Sequence, residues 1–325
     1  MLFWIILGVA AVLALLTVLI AYICYRMAFY AAPRPAVKSD AIDIPEGEIY
    51  EAFREKMEKG ALATRALPQE DMTITSFDGL RLHGTYYEFA PGAPIELMFH
   101  GYRGSAERDL AGGVQRCFKL GRSALLVDQR CSGQSEGKTI TFGINEYRDC
   151  LTWLEFMGKR FGPDVKIILT GISMGASTVM MAADKDLPPN VIGILADCGF
   201  NSARDIIKKV ITQMGLPAGI SYPFVKLGAR LFGRFDLEES SAQEALRNAR
   251  VPVIFFHGEA DDFVPCDMSR ICYEACSSRK MLVTFPGAGH GLSYPVAPAA
   301  YLDALREFFG PEASALDPKN DTKKP

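Results

Sequence analysis

No charged residue occurs before Arg26. No basic residue opens the chain either, and no small-x-small site follows its first apolar run. That excludes the usual layout of a cleaved signal peptide. No CxxC pair occurs among the eight cysteines, at 24, 117, 131, 150, 198, 266, 272 and 276. Zinc-ribbon and thioredoxin-type motifs are therefore absent. Cys266, Cys272 and Cys276 come closest to a metal pattern, but no histidine stands beside them. No phosphate-loop lysine motif occurs, and neither GAGHG nor CSGQSEG has G-x-G-x-x-G spacing. No cofactor and no metal are expected. No long basic run occurs and the net charge is only −3, so no nucleic-acid partner is expected. Internal repeats are lacking. Histidine is scarce: His83, His100, His257 and His290 make up the whole set.

What is present begins with LFWIILGVAAVLALLTVLIAYIC, uncharged and long enough for a helix to cross a bilayer, which takes about 20 residues. Residues 1–25 are expected to be a retained single-pass membrane anchor. Arg26, Arg34 and Lys38 flank it on the C-terminal side, which puts the body of the protein in the cytoplasm. The scattered cysteines agree, since they form no disulfide framework. Residues 26–66 read as linker plus juxtamembrane helix. APRPAVKSDAIDIPEG is the linker. EIYEAFREKMEK spaces Ile49, Phe53 and Met57 four apart and is expected to stop at Gly60, packed on the body. The tail 311–325 is polar and expected to be frayed.

Between these ends the pattern alternates. DMTITSF, RLHGTYYEF, IELMFH, SALLVDQ, VKIILTG, VIGILAD, VPVIFFH and MLVTFP read as eight strands. Asp78-Gly79 joins the first two as a hairpin. Helical runs over 105–120, 143–161, 174–184 and 298–309 separate most of the rest. That rhythm predicts an α/β fold, a mostly parallel sheet with helices on both faces. In such sheets chemistry collects beyond the carboxyl ends of the strands.

GISMGA sits at one such end. Ser173 follows VKIILTG and opens a helix. Gly171 and Gly175 suit a sharp strand-to-helix turn that presents the hydroxyl, with the Met174 amide aimed at the same space. A serine nucleophile needs a base. His290, in the glycine-rich loop after the last strand, is the candidate. His257 and His100 end strands and read as hydrogen-bonding or packing residues, and His83 reads as structural. The base needs a carboxylate, and HGEADDFVP offers Glu259, Asp261 and Asp262. HGYRGS can supply a second oxyanion donor, the Tyr102 backbone N–H.

Five ordered blocks, HGYRGS, DQRCSGQSEG, GISMGA, HGEADDFVP and GAGHG, span about 90 to 310. With them the chain resembles the α/β-hydrolases, in particular bacterial membrane-anchored hydrolases of the serine-aminopeptidase and lysophospholipase-like branch. The resemblance implies an α/β-hydrolase fold over 67–310, with Ser173 as nucleophile, His290 as base and Asp261 as acid. It implies that Asp128 and Ser135 brace a loop beneath the site. Cys131 replaces the glycine usual in that loop, and its Cβ is expected to alter the loop conformation or its access to the site.

Residues 199–250, between VIGILAD and VPVIFF, are long enough to be a helical cap. Most of its apolar residues are expected to pack on the body, and a few to line an acyl pocket. Lys208, Lys209, Lys226, Arg230 and Arg234 make it basic. The expected activity is hydrolysis of an ester, thioester or amide through an acyl-enzyme, carboxylesterase- or lipase-like, on a small or lipid-like acyl substrate. The alternatives are a serine peptidase of the same fold and a non-catalytic membrane-tethered binding protein.

Overall fold

A computed structural model of the chain describes residues 1–32 and 42–316. The central part of the expected linker and the last nine residues of the expected tail lie outside the described residues. Helix α1 runs Leu2–Ala28, three residues past the expected anchor, and its outer surface is exposed over most of its length. Two short helices follow, α2 (Glu48–Glu51) and α3 (Arg54–Arg65). The hairpin strands come next, β1 (Glu70–Thr75) and β2 (Arg81–Tyr87), joined through Gly79 at φ 90°. The alternating part runs β3 (Ile95–Phe99), α4 (Ala111–Lys119), β4 (Ser123–Val127), α5 (Glu146–Phe161), β5 (Ile167–Ile172), α6 (Met174–Met181) and β6 (Val191–Asp197). Residues 199–250 carry α7 (Ala203–Gln213), α8 (Ala218–Gly228) and α9 (Ala242–Leu246). The chain ends on β7 (Val253–Gly258), α10 (Cys266–Ala275), β8 (Lys280–Phe285), α11 (Ser293–Val296) and α12 (Pro298–Phe309).

All eight expected strands form, in one sheet of order β1-β2-β4-β3-β5-β6-β7-β8. β2 pairs antiparallel with both β1 and β4, and the remaining pairs are parallel. The inner strands are mostly apolar because helices cover both faces; β3 and β4 are buried at every position, Glu96 of β3 included. Edge strand β1 alternates instead. The strand order reverses at β3, which lies between β4 and β5 and pairs Phe99 with Gly171. The loops after β3 and β5 therefore diverge there and leave a crevice at the carboxyl edge, where ligands bind in such sheets.

Two expectations need correction, and one helix had no forewarning. The juxtamembrane helix does not stop at Gly60. It breaks earlier, at Ala52–Phe53, and α3 then continues through Gly60 to Arg65. A helical glycine costs about 1 kcal/mol relative to alanine, but the helix carries it, with a Cβ there meeting nothing nearer than Gly112 Cα at 3.8 Å. Ala61 and Thr64 bury against α4, and the Thr64 hydroxyl donates to the Ala111 carbonyl at 2.8 Å. The tail is not frayed over 311–316. Ala313 is buried, and Arg122 Nε donates to its carbonyl at 2.7 Å. Helix α10 was not foreseen; Met268 and Cys272, one turn apart, are its buried face.

Candidate active site

Ser173 sits at φ 55°, ψ −120°, between β5 and α6. A non-glycine residue holds such a conformation only where its surroundings enforce it. The flanking glycines show how. A Cβ on Gly175 would collide with the Phe99 carbonyl, and one on Gly171 with the Gly175 carbonyl. The Ser173 amide is fixed by the Asp197 carbonyl at 2.8 Å. Ser173→Gly and Ser173→Ala both delete the hydroxyl, but only glycine relaxes the positive φ. Ser173→Gly is therefore expected to be the more stable variant by about 1 kcal/mol, measured by denaturant melts.

His290 bridges to the serine from the loop after β8. Its Nε2 lies 2.9 Å from Ser173 Oγ and its Nδ1 2.7 Å from Asp261 Oδ2. Of the three carboxylates after β7, only Asp261 reaches the imidazole. Glu259 instead accepts from the Thr284 hydroxyl at 2.6 Å. Asp262 offers its main-chain carbonyl to Lys209 and Gln213. Asp261 Oδ1 accepts the amides of Phe263 and Val264 at 3.0 and 2.8 Å. Burial pushes the Asp261 carboxyl up, but hydrogen bonds from His257 and His290 outweigh it and hold the group well below the usual carboxylate range. His257 is itself locked: its Nε2 lies 2.8 Å from the Val264 carbonyl and its Nδ1 2.6 Å from the Ser269 hydroxyl. An ionised, oriented carboxylate fixes an imidazole with Nδ1–H toward it and Nε2 free to accept.

Cys198 Sγ lies within 4.8 Å of the ligand atoms of Asp261 and His290. Metal binding would need its thiolate, and burial pushes that thiol well up.

Gly101 packs against the serine: a Cβ there would lie 3.4 Å from Ser173 Cβ. The Asp109 carboxylate holds this loop through the Gly101 amide at 2.9 Å, a support that sequence reading missed. Among the described residues neither the Tyr102 nor the Met174 backbone N–H has a protein acceptor. The Tyr102 side chain turns away, donating to the Ala28 carbonyl at 2.8 Å. Arg103 donates to the Met27 carbonyl at 2.9 Å. The loop beside the serine thus caps the last turn of α1, where a cation is favoured.

The brace loop forms. Asp128 accepts the Ala106 and Gln134 amides at 2.9 and 3.0 Å, and Ser135 Oγ donates to the Asp128 carbonyl at 2.6 Å. Cys131 holds φ 69°, in the left-handed region that favours glycine, in spite of its Cβ.

A cavity of about 550 Å³ opens at Ser173, within the range of small-molecule sites, roughly 300–1,000 Å³. One wall is Met98, Ile172 and Leu195 from the sheet; the other is Ile44 from the end of the linker with Ile49 of α2 and Met57 of α3. Tyr50 ties that segment down, its hydroxyl donating to the His290 carbonyl at 3.2 Å, and burial pushes its pKa up to about 12. Lys56 adds a bond to the Pro295 carbonyl at 3.0 Å. None of the residues lining this cavity comes from 199–250, so the expected contribution of that segment to an acyl pocket is replaced by the juxtamembrane one. Ile49, Phe53 and Met57 at helical spacing signalled an apolar face, but not which surface it would cover.

The sequence model of the alpha/beta hydrolase family matches residues 82–304. The chain belongs to this family. Solved relatives of the fold include the Pyrococcus furiosus esterase Pf2001, with TM-score 0.63 and 20% identity over 86% of this chain and 97% of that one. Bacillus subtilis YqkD is 26% identical over 62% of this chain and 65% of its own length. The Danio rerio lysophosphatidylserine lipase ABHD12 is 25% identical over 61% of this chain and 51% of its own. The chain thus spans less than two thirds of the length of these two curated relatives.

Proposed function

We propose that this α/β-hydrolase is a membrane-anchored serine hydrolase that cleaves an ester, thioester or amide through an acyl-enzyme on Ser173. The observation that carries the reading is the imidazole of His290 bridging Ser173 Oγ and Asp261 Oδ2 at 2.9 and 2.7 Å. His290 Nε2 takes the hydroxyl proton as Ser173 Oγ bonds to the acyl carbon. Asp261 stabilises the imidazolium so formed. The Tyr102 and Met174 amides hold the oxyanion, a term of about 3 kcal/mol for one donor. His290 then protonates the leaving group as its bond to carbon breaks. Water, deprotonated by the same imidazole, releases the acyl group. Kinship with an esterase fold and a lysophosphatidylserine lipase supports an ester, and the apolar cavity supports a lipid-like acyl group. Helix α1 is read as a bilayer span, with Arg26, Arg34 and Lys38 favouring a cytoplasmic body. The same reading divides the chain into anchor 1–25, connecting segment 26–66, and hydrolase domain with a helical cap over 199–250.

Fluorophosphonate labelling tests this reading. Native protein is expected to label, and Ser173→Ala and His290→Ala are not. Absence of labelling in folded native protein would overturn it. The cavity adds a prediction. Ile49→Trp fills the wall opposite the sheet. It is expected to lower kcat/KM for long-chain esters about tenfold or more, with short acyl esters within about twofold. A chain-length series measures it.

A further inference from the structure

The hairpin formed by α7 and α8 carries an uncharged tip. No charged residue lies between Lys209 and Lys226, and Met214, Leu216 and Ile220 are 52, 48 and 68% exposed. An apolar surface of this kind calls for a partner. Its position says which. A Cβ on Gly228 would clash with the Ala21 carbonyl of α1. Phe232 then meets Tyr22 edge-on at 5.1 Å and the tilted Tyr25 ring at 6.0 Å, and Phe235 meets Phe29 edge-on at 5.3 Å. Partners on α1 thus advance from 21 to 29 as the chain advances from 228 to 235. The two segments run in the same direction. The earlier turns of α8 accordingly point back past Ala21, toward the apolar span of α1, where Thr17 is still half-buried.

We propose that the α7–α8 tip, Met214–Ile220, is a second and shallow membrane-insertion element beside α1, and that it brings the cavity mouth to the bilayer to take an amphiphilic acyl ester from the leaflet. The proposal rests on reading α1 as a bilayer span. An interfacial element buries its apolar side about 5–10 Å into the headgroup and acyl boundary. Five residues of helix separate Lys209 from Met214, about 7 Å. Inserted to that depth, the tip leaves Lys208 and Lys209 at the level of the phosphates. The base of the hairpin touches the active site. Lys209 donates to the Phe263 carbonyl at 2.9 Å and to that of Asp262. The Phe263 ring lies 5.1 Å from that of His290 and lines the cavity.

The chain has two tryptophans, Trp4 on α1 and the buried Trp153. They make the two readings separable in full-length protein reconstituted in phosphatidylcholine vesicles with brominated acyl chains. In native protein Trp4 reports the anchor. In a Trp4→Phe background, Ile220→Trp reports the tip, with Trp4→Phe alone as the Trp153 baseline. The expected result is quenching of Trp4, and about twofold quenching at position 220 for a residue at interfacial depth. Quenching of Trp4 without quenching at 220 overturns the insertion. A blue-shifted, unquenched signal at 220 that grows with protein-to-lipid ratio assigns the patch to a second copy of the chain and also overturns it. Failure of both signals overturns the anchor reading with it. Leu216→Asp with Ile220→Asp tests the uptake step. Hydrolysis of a vesicle-borne long-chain ester is expected to fall about tenfold, with a soluble short ester unaffected. Equal rates on the vesicle ester would contradict that step.

Discussion

Ser173→Ala is expected to lower ester turnover by at least about ten-thousandfold while leaving the fold in place. The hydroxyl is the attacking group, and nothing beside it substitutes. Cys198, whose Sγ lies within 4.8 Å of the Asp261 and His290 ligand atoms, is held protonated by burial. His290→Ala is expected to cost about as much, because the proton on Ser173 Oγ then has no acceptor. The double variant is expected to be no worse than either single one, since the groups act as a unit. Independent, multiplying losses would show that serine and histidine do not share one proton path. Steady-state kinetics on a soluble ester, with circular dichroism as the fold check, measures all three.

Glu96→Gln is expected to destabilise the protein by about 3–5 kcal/mol, the usual cost of stranding buried charge. Glu96 is fully buried in β3. It accepts from Arg116 at 2.5 Å, from Arg122 at 2.8 Å and from the Thr170 hydroxyl at 2.9 Å. Glutamine keeps the shape but leaves two buried guanidinium groups without their counter-charge. The same cluster makes stability pH-dependent. Burial pushes the Glu96 carboxyl up, but Arg116 and Arg122 outweigh it and bring it down to about 2. Its unfolded value is about 4.3. A depressed folded pKa stabilises above the unfolded value and is lost as pH falls through the folded one. Glu96 therefore contributes roughly 3 kcal/mol at neutral pH, lost progressively between about pH 4 and pH 2. Urea melts from pH 7 down to pH 3 are expected to show about half of this loss in the native protein and a smaller one in Glu96→Gln.

The parts of this architecture that could be read in advance are those set by local sterics. The sheet was legible because strands buried on both faces become unbroken apolar runs, as in VIGILAD and VPVIFF. Ser173 was legible because a turn that tight needs glycine where Gly171 and Gly175 stand. Asp261 was not separable from Glu259 and Asp262 by composition. Only the resemblance singled it out, and it is the Val264 and Phe263 amides that turn it toward His290. Contacts made across long sequence distances stayed hidden. Nothing local in EIYEAFREKMEK says that Tyr50 will reach the His290 carbonyl, 240 residues away. Nor does PEASAL announce that Arg122 will hold it down. Gly60 read as a stop because the packing of Ala61 and Thr64 on α4, which carries the helix past it, is made with a neighbour in space only.

The most direct test of the central claim is a rapid-mixing burst experiment with a p-nitrophenyl ester, followed by mass analysis of the peptide holding GISMGA. A burst approaching one equivalent of p-nitrophenolate per chain is expected where deacylation limits turnover, with an acyl adduct on Ser173 in acid-quenched protein. Turnover of the ester with the adduct on another residue, or turnover that persists in Ser173→Ala, would contradict that claim.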